Sequence, residues 1–247
     1  MKYRQVTGTL GIVLRRLRED AKKDGIIAAA VAFTTLILRV LSTPVIRILR
    51  RKRVFQFAGR QYPYFCHWYN TTFDNERAVE ISLALAAIKD AQGKRILEVG
   101  NVLSHYAKPA WDIIDKYEAG ESVITQDIVD FRPDHPYDLI VSISTLEHVG
   151  FDEDNGDPQK IFAAMQRLRG MLAAGGYLLA TVPVAYNPHM DRFLQEGKIF
   201  DEQRYIKRVS KDNRWVECTT ADAFLASYDT PYMFGNALIV GTCRNNS

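Results

Sequence analysis

The stretch Arg95–Tyr106, RILEVGNVLSHY, decides how this chain is read. Its apolar run ends in Glu-Val-Gly, the pattern of a buried parallel strand whose carboxyl end is delivered to a ligand. In the common nucleotide-binding form of this turn, glycines recur at alternate positions so that backbone can approach the ligand without a Cβ in the way. Here only Gly100 is retained, and the next two glycine positions hold Val102 and Ser104.

On either side of that strand the chain has the material for one sizeable domain. Its 247 residues are 47% apolar, enough to bury a substantial core. Cys66, Cys218 and Cys243 are odd in number and widely spaced, so neither a disulfide framework nor a zinc site is supported, and no metal is expected. A reducing, cytoplasmic setting follows. The net charge of +3 conceals an asymmetry: residues 1–53 hold 13 Lys and Arg against 3 Asp and Glu, while 54–247 hold 19 against 26. A basic arm on an acidic body directs the arm alone toward an anionic surface. Nucleic acid is not the expected partner, because the body that would carry any acceptor site is acidic.

Residues 1–53 read as a basic helical extension and 54–247 as the α/β body. Ile26 to Ile46 is long enough as a helix to cross a bilayer. Thr35, Arg39, Thr43 and Arg47 recur every fourth residue, however, and draw a polar stripe along one face. With Arg50-Arg51-Lys52-Arg53 behind it, the segment suits a helix lying in the interface at the inner face of a membrane, at about 1 kcal/mol per basic residue. A spanning helix and an ordinary amphipathic helix packed on protein are the alternatives.

From Lys94 onward short apolar runs alternate with helical patterns, as in a largely parallel sheet. The expected strands are Arg95–Gly100, Asp112–Asp115, Val123–Asp127, Tyr137–Ser142 and Gly176–Val182. Asn75–Asp90 reads as a helix before the first of them, and Pro158–Leu172 as the crossover helix, stopped by Ala-Ala-Gly-Gly. Arg204–Glu217 and Ala237–Arg244 read as a closing antiparallel pair.

In that order ILEVG, an acidic strand end, TQDIVDF, YDLIVSISTLEHVG and GGYLLATVP resemble the class I S-adenosylmethionine-dependent methyltransferases, in particular the type 11 group, over about Lys94 to Val184. The resemblance implies a Rossmann-like α/β fold with a mostly parallel sheet and an antiparallel final strand. It also implies S-adenosylmethionine as cofactor. Glu98, Gly100 and Asn101 are then placed at its methionine part, although Glu98 would equally cap the following turn. Asp115 is placed at the ribose, with Glu118 as the second choice. Asp115 follows Gly100 by only 15 positions, so the helix between them must shrink to a turn. Asp127 and Ile128 are placed at the adenine, and Ser142 at the end of the fourth strand. His148, in LEHV, is the residue that would take a proton from a hydroxyl acceptor, or else it starts a helix.

Tyr62–Arg77, YPYFCHWYNTTFDNER, is dense in aromatic and polar side chains and suits a cover over an acceptor such as a sugar. His67, Asn70 and Arg77 from this run, with His105 and Tyr186, are the expected acceptor contacts. The expected function is methyl transfer to a small molecule, a saccharide or a lipid-linked intermediate. The competing reading is a non-catalytic scaffold or partner subunit, since Val102 and Ser104 crowd the turn. A nicotinamide-dependent oxidoreductase is disfavoured by the missing glycines.

Overall fold

The computed structural model describes residues 25–120 and 122–246. A 25-residue helix α1 (Ile26–Arg50) leads into a hairpin of β1 (Val54–Phe57) and β2 (Arg60–Pro63). Its two-residue turn, Ala58-Gly59, has positive φ at both positions. The sequence reading does not anticipate this hairpin, because Ala at the first turn position carries no turn signal. Helix α2 (Arg77–Asp90) follows and begins two residues later than expected, after Asn75 Oδ1 accepts from Arg77 N at 3.1 Å.

The central sheet contains β3 (Ile96–Val99), β4 (Asp112–Asp115), β5 (Val123–Thr125), β6 (Tyr137–Ile143), β7 (Leu172–Pro183), β8 (Glu202–Arg208), β9 (Trp215–Cys218) and β10 (Ala237–Arg244). Their order across the sheet is β5-β4-β3-β6-β7-β10-β8-β9. The first five are parallel, and β10 runs antiparallel to both β7 and β8. This is a Rossmann-like, mostly parallel sheet with an antiparallel strand set into one half.

Two expectations are corrected. Arg204–Glu217 is not one strand: it folds back through Ser210–Asn213, with Asn213 at φ +62°, and β8 and β9 pair as a hairpin. β8 and β10 do form the expected antiparallel pair, with β10 lying between β7 and β8. The Ala173–Gly176 run likewise lies inside β7 as a register irregularity, with Gly175 at φ +71°.

Period-two alternation sends β6 side chains to both faces. Leu139, Val141 and Ile143 pack with Ile81 and Ala84 of α2, while Ile140 packs with Ile161, Met165 and Leu168 of α3 (Lys160–Gly170). Each fully buried Leu or Ile contributes about 1.5–3 kcal/mol. Helix α4 (Pro188–Gln195) adds Met190, Phe193 and Leu194 to the α3 side. Its start is secured by Asn187 Oδ1, which accepts from His189 N and Met190 N. Among the described residues no helix is long and apolar enough to cross a membrane.

Candidate functional site

Chain order reverses across the sheet between β3 and β6, so the connections after these strands leave on opposite faces and open a crevice at their carboxyl ends. A cleft of about 260 Å³ lies there, walled by the loops that follow β3, β4, β5 and β6. Of the residues expected at a site, Gly100, Asn101, Asp115, Asp127, Ile128, Asn70, Arg77, His105 and His148 line it.

Glu98, Ser142, His67 and Tyr186 do not. Glu98 is fully buried, and its carboxylate accepts from Val102 N at 2.8 Å, Leu103 N at 2.6 Å and Trp111 Nε1 at 2.8 Å. It is therefore directed at its own turn rather than at the cleft. Burial pushes its carboxyl up, against the pull of these three donors. Ser142 Oγ donates to Val99 O at 3.1 Å behind the wall. His67 packs against Phe65 and Tyr106, and its Nδ1 accepts from Tyr69 N at 3.1 Å.

The link from β3 to β4 contains one 3-10 turn, Leu103–His105, in place of a helix. Gly100 turns the chain at φ +89°, and a Cβ there would overlap Thr145 Oγ1 and come within 2.7 Å of its Cγ2. The missing Cβ thus makes room for a neighbouring loop rather than for a ligand. Val102 is half-buried against the cluster around Ile81 and Leu103, with one side bordering the cleft.

At the end of β4, Asp115 Oδ2 accepts from Asn101 N at 3.0 Å, and Oδ1 accepts from Tyr117 N and Glu118 N at 2.7 Å each. The carboxylate of Glu118 stands beside it in the cleft wall and accepts from Asn101 Nδ2 at 2.8 Å. His105, 3.6 Å away, holds the Glu118 carboxyl below its ordinary value.

Beyond β5, Asp127 meets two ammonium groups, Lys116 Nζ at 2.8 Å and Lys160 Nζ at 2.5 Å. Both also reach Glu153 Oε2 at 2.6 Å, which closes a four-residue network. Burial pushes Asp127 up, but the two ammonium groups hold it below the usual carboxylate range. Ile128, 6% exposed, presents an apolar surface beside it.

On the β6 side, Ser144 adopts φ +40°, and its Oγ donates to Glu80 Oε1 at 2.5 Å. Thr181 Oγ1 donates to the same oxygen at 2.8 Å, and Arg77 Nη1 reaches Glu80 Oε2 at 3.0 Å. This buried carboxylate joins the start of α2 to the ends of β6 and β7, and it fixes Arg77 on the cleft wall. His148 follows, with Nδ1 paired to Asp152 and with Tyr186 set edge-on at 4.8 Å between centroids. Tyr186 Oη donates to Asp152 Oδ2 at 2.8 Å. Burial disfavours the imidazolium, yet Asp152 and Glu147 raise its pKa above the ordinary histidine value. Glu147, 1% exposed, is itself pushed up to about 7, chiefly by burial.

The sequence reading misses Tyr69, Thr145, Asp152 and Glu153 as wall residues and Lys160 behind them. The i,i+4 spacing of His148 and Asp152 is the one signal that points to any of these.

No protein-family model matches the chain, and no curated protein matches it. Among solved structures it is similar to the N-methyltransferase NodS from Bradyrhizobium japonicum WM9 in complex with S-adenosyl-L-homocysteine. That likeness has 17% identity and TM-score 0.44, over 70% of this chain and 88% of that one. A SAM-dependent methyltransferase from Archaeoglobus fulgidus is similar at 14% identity and TM-score 0.42, over 71% and 97%. The sugar N-methyltransferase KedS8 from Streptoalloteichus sp ATCC 53650 is similar at 13% identity and TM-score 0.36, over 69% and 89%.

Proposed function

We propose that the chain is an S-adenosylmethionine-dependent methyltransferase acting on a small molecule, of the saccharide or lipid-linked class. The observation that carries this reading is the electrostatic character of the cleft at the sheet's reversal point. In its wall the carboxylates of Asp115, Glu118, Asp127, Asp152 and Glu153 outnumber the cations of Arg77 and Lys116, even with Lys160 behind Asp127 and Glu153 counted among them. Such a wall favours a ligand that carries positive charge. It is poorly suited to a dinucleotide pyrophosphate, which needs free backbone N–H groups at a helix start. Here no α-helix starts after β3, only the 3-10 turn Leu103–His105, and Glu98 already takes up the N–H groups of Val102 and Leu103.

The residues fit the cofactor part by part. Glu118 and the remaining lone pair of Asp115 Oδ2 would accept the two ribose hydroxyls, and Ile128 would cover one face of the adenine beside Asp127. Gly100 and Asn101 would border the methionine part. When bound, S-adenosylmethionine supplies a sulfonium methyl to a nucleophile. The chain's own part is to hold the acceptor among Asn70, Arg77 and His105 and to take its proton at the imidazole of His148, whose Nδ1 is paired to Asp152 and whose Nε2 lies 3.7 Å from Glu147 Oε1.

Glu118→Gln should weaken S-adenosylmethionine binding about tenfold or more, the value of one charged hydrogen bond, with the melting temperature nearly unchanged. Asp115→Ala should lose both affinity and stability, because three backbone donors lose their acceptor. Equilibrium dialysis and a thermal melt on each variant check this; unaltered affinity in a stable Glu118→Gln would move the ribose site.

The activity test is release of S-adenosylhomocysteine during incubation with a panel of sugars, amino sugars and polyprenyl-linked sugars. For an acceptor that must lose a proton, kcat/KM should rise with pH through a pKa above the ordinary histidine value, because His148 acts as base only when neutral. Asp152→Asn should shift that inflection to lower pH. A profile flat across this range would remove His148 from the proton transfer.

A further inference from the structure

Helix α1 meets the body along one narrow side. Thr43 is buried, Ile46 and Arg50 are half-buried, and Arg50 Nη1 donates to Phe73 O at 2.9 Å. The polar stripe expected to face headgroups therefore supplies, through Thr43, the contact with protein. On the opposite side, at helical spacing, Ile27, Leu38, Leu41, Val45, Ile48 and Leu49 are 58–83% exposed. The hydroxyls of Thr34 and Thr35 donate back to Ala30 O at 2.9 Å and Val31 O at 2.7 Å, so they need no water. Body contacts thus take the polar side of the helix and leave the apolar side outward.

We infer that this apolar face lies in the interfacial layer of an anionic bilayer, parallel to its plane, with exposed Arg51 and Lys52 at the headgroups. Charge selects this occupant over a second copy of the chain. Residues 1–53 carry 13 cations against 3 acids, and pairing two copies along this face would gather two such sets in one complex, whereas anionic headgroups neutralise them. The attachment also places the cleft, because Tyr69 and Asn70 on its wall belong to the 3-10 segment Tyr69–Asp74 on which α1 packs. The inference does not depend on the chemistry of the cleft.

The full chain should sediment with phosphatidylcholine vesicles that contain phosphatidylglycerol, and far less with phosphatidylcholine alone. Leu38→Glu/Leu41→Glu/Val45→Glu should abolish sedimentation, and Arg51→Glu/Lys52→Glu should lower partitioning about 30-fold or more. These side chains are exposed, so thermal melts should match the parent and separate lost binding from lost folding. Equal binding to both kinds of vesicle would overturn the proposal. Retention in the membrane after alkaline carbonate, which marks a spanning helix, would do the same. So would a dimer that the triple variant dissociates, if the parent fails to bind vesicles.

Discussion

Glu98→Ala is expected to lower stability by about 3–5 kcal/mol, because it strands three donors in a site that water does not reach. Val102 N, Leu103 N and Trp111 Nε1 all converge on this one fully buried carboxylate. The first two start the turn that replaces a helix after β3, and the third ties that turn to the entry of β4. Removing the carboxylate should therefore both depress the melting temperature by about 10 °C and abolish ligand binding in the fraction that stays folded. Glu98→Gln should be intermediate, since its amide nitrogen would face donors. A melting temperature within a degree or two of the parent would show that the turn is held by other means.

Gly100→Ala should cost about 3 kcal/mol, made up of a left-handed backbone penalty and a collision with Thr145. At φ +89° an added methyl is strained in any surroundings, and here it also overlaps a side chain whose Oγ1 donates to Ile143 O at 3.0 Å. Thr145 begins the turn that carries His148, so the collision should be felt as displacement of the proposed base. Adding Thr145→Ala should recover about 1–2 kcal/mol by removing the overlap with Oγ1 and Cγ2, while the close approach to the Thr145 Cβ position at 2.9 Å and the backbone penalty remain. Chemical denaturation of the single and double variants measures both parts. If the double variant gains nothing over Gly100→Ala, the Thr145 Oγ1 and Cγ2 atoms contribute nothing to the cost.

Much of the parallel half of the sheet is legible in the sequence, because strands buried on both faces read as near-continuous apolar runs, as in Ile96–Val99 (ILEV) and Tyr137–Ile143 (YDLIVSI). The other half is less so. β8, EQRYIKR, lies near the sheet edge and is mostly polar, so nothing in its periodicity marks where it ends and the hairpin turn begins. The place of β10 between β7 and β8 is a matter of topology that its own residues do not encode.

At the site, loops after parallel strands must emerge at one edge, so Gly100, Asp115, Asp127 and His148 could be assembled from strand order alone. What the order does not reveal is which of these groups the backbone engages first. Glu98 and Asp115 are alike as acids at strand ends, yet one is fully buried and satisfied by its own turn while the other borders the cleft. Lys160 reaches Asp127 across 33 residues of sequence, and no local pattern announces such a contact. The helical extension illustrates the same limit: its amphipathic period is plain, but which side faces protein depends on Thr43 and Arg50 finding partners in the body.

Calorimetric titration of the full chain with S-adenosylmethionine and S-adenosylhomocysteine tests whether the turn held by Glu98 leaves room for the proposed cofactor. Both should bind saturably at a single site, with Val102→Gly less stable than the parent and no tighter in binding, since Val102 packs against the cluster around Leu103 and Ile81. A parent that binds neither compound, with affinity appearing only in Val102→Gly, would contradict this and identify the chain as a non-catalytic relative.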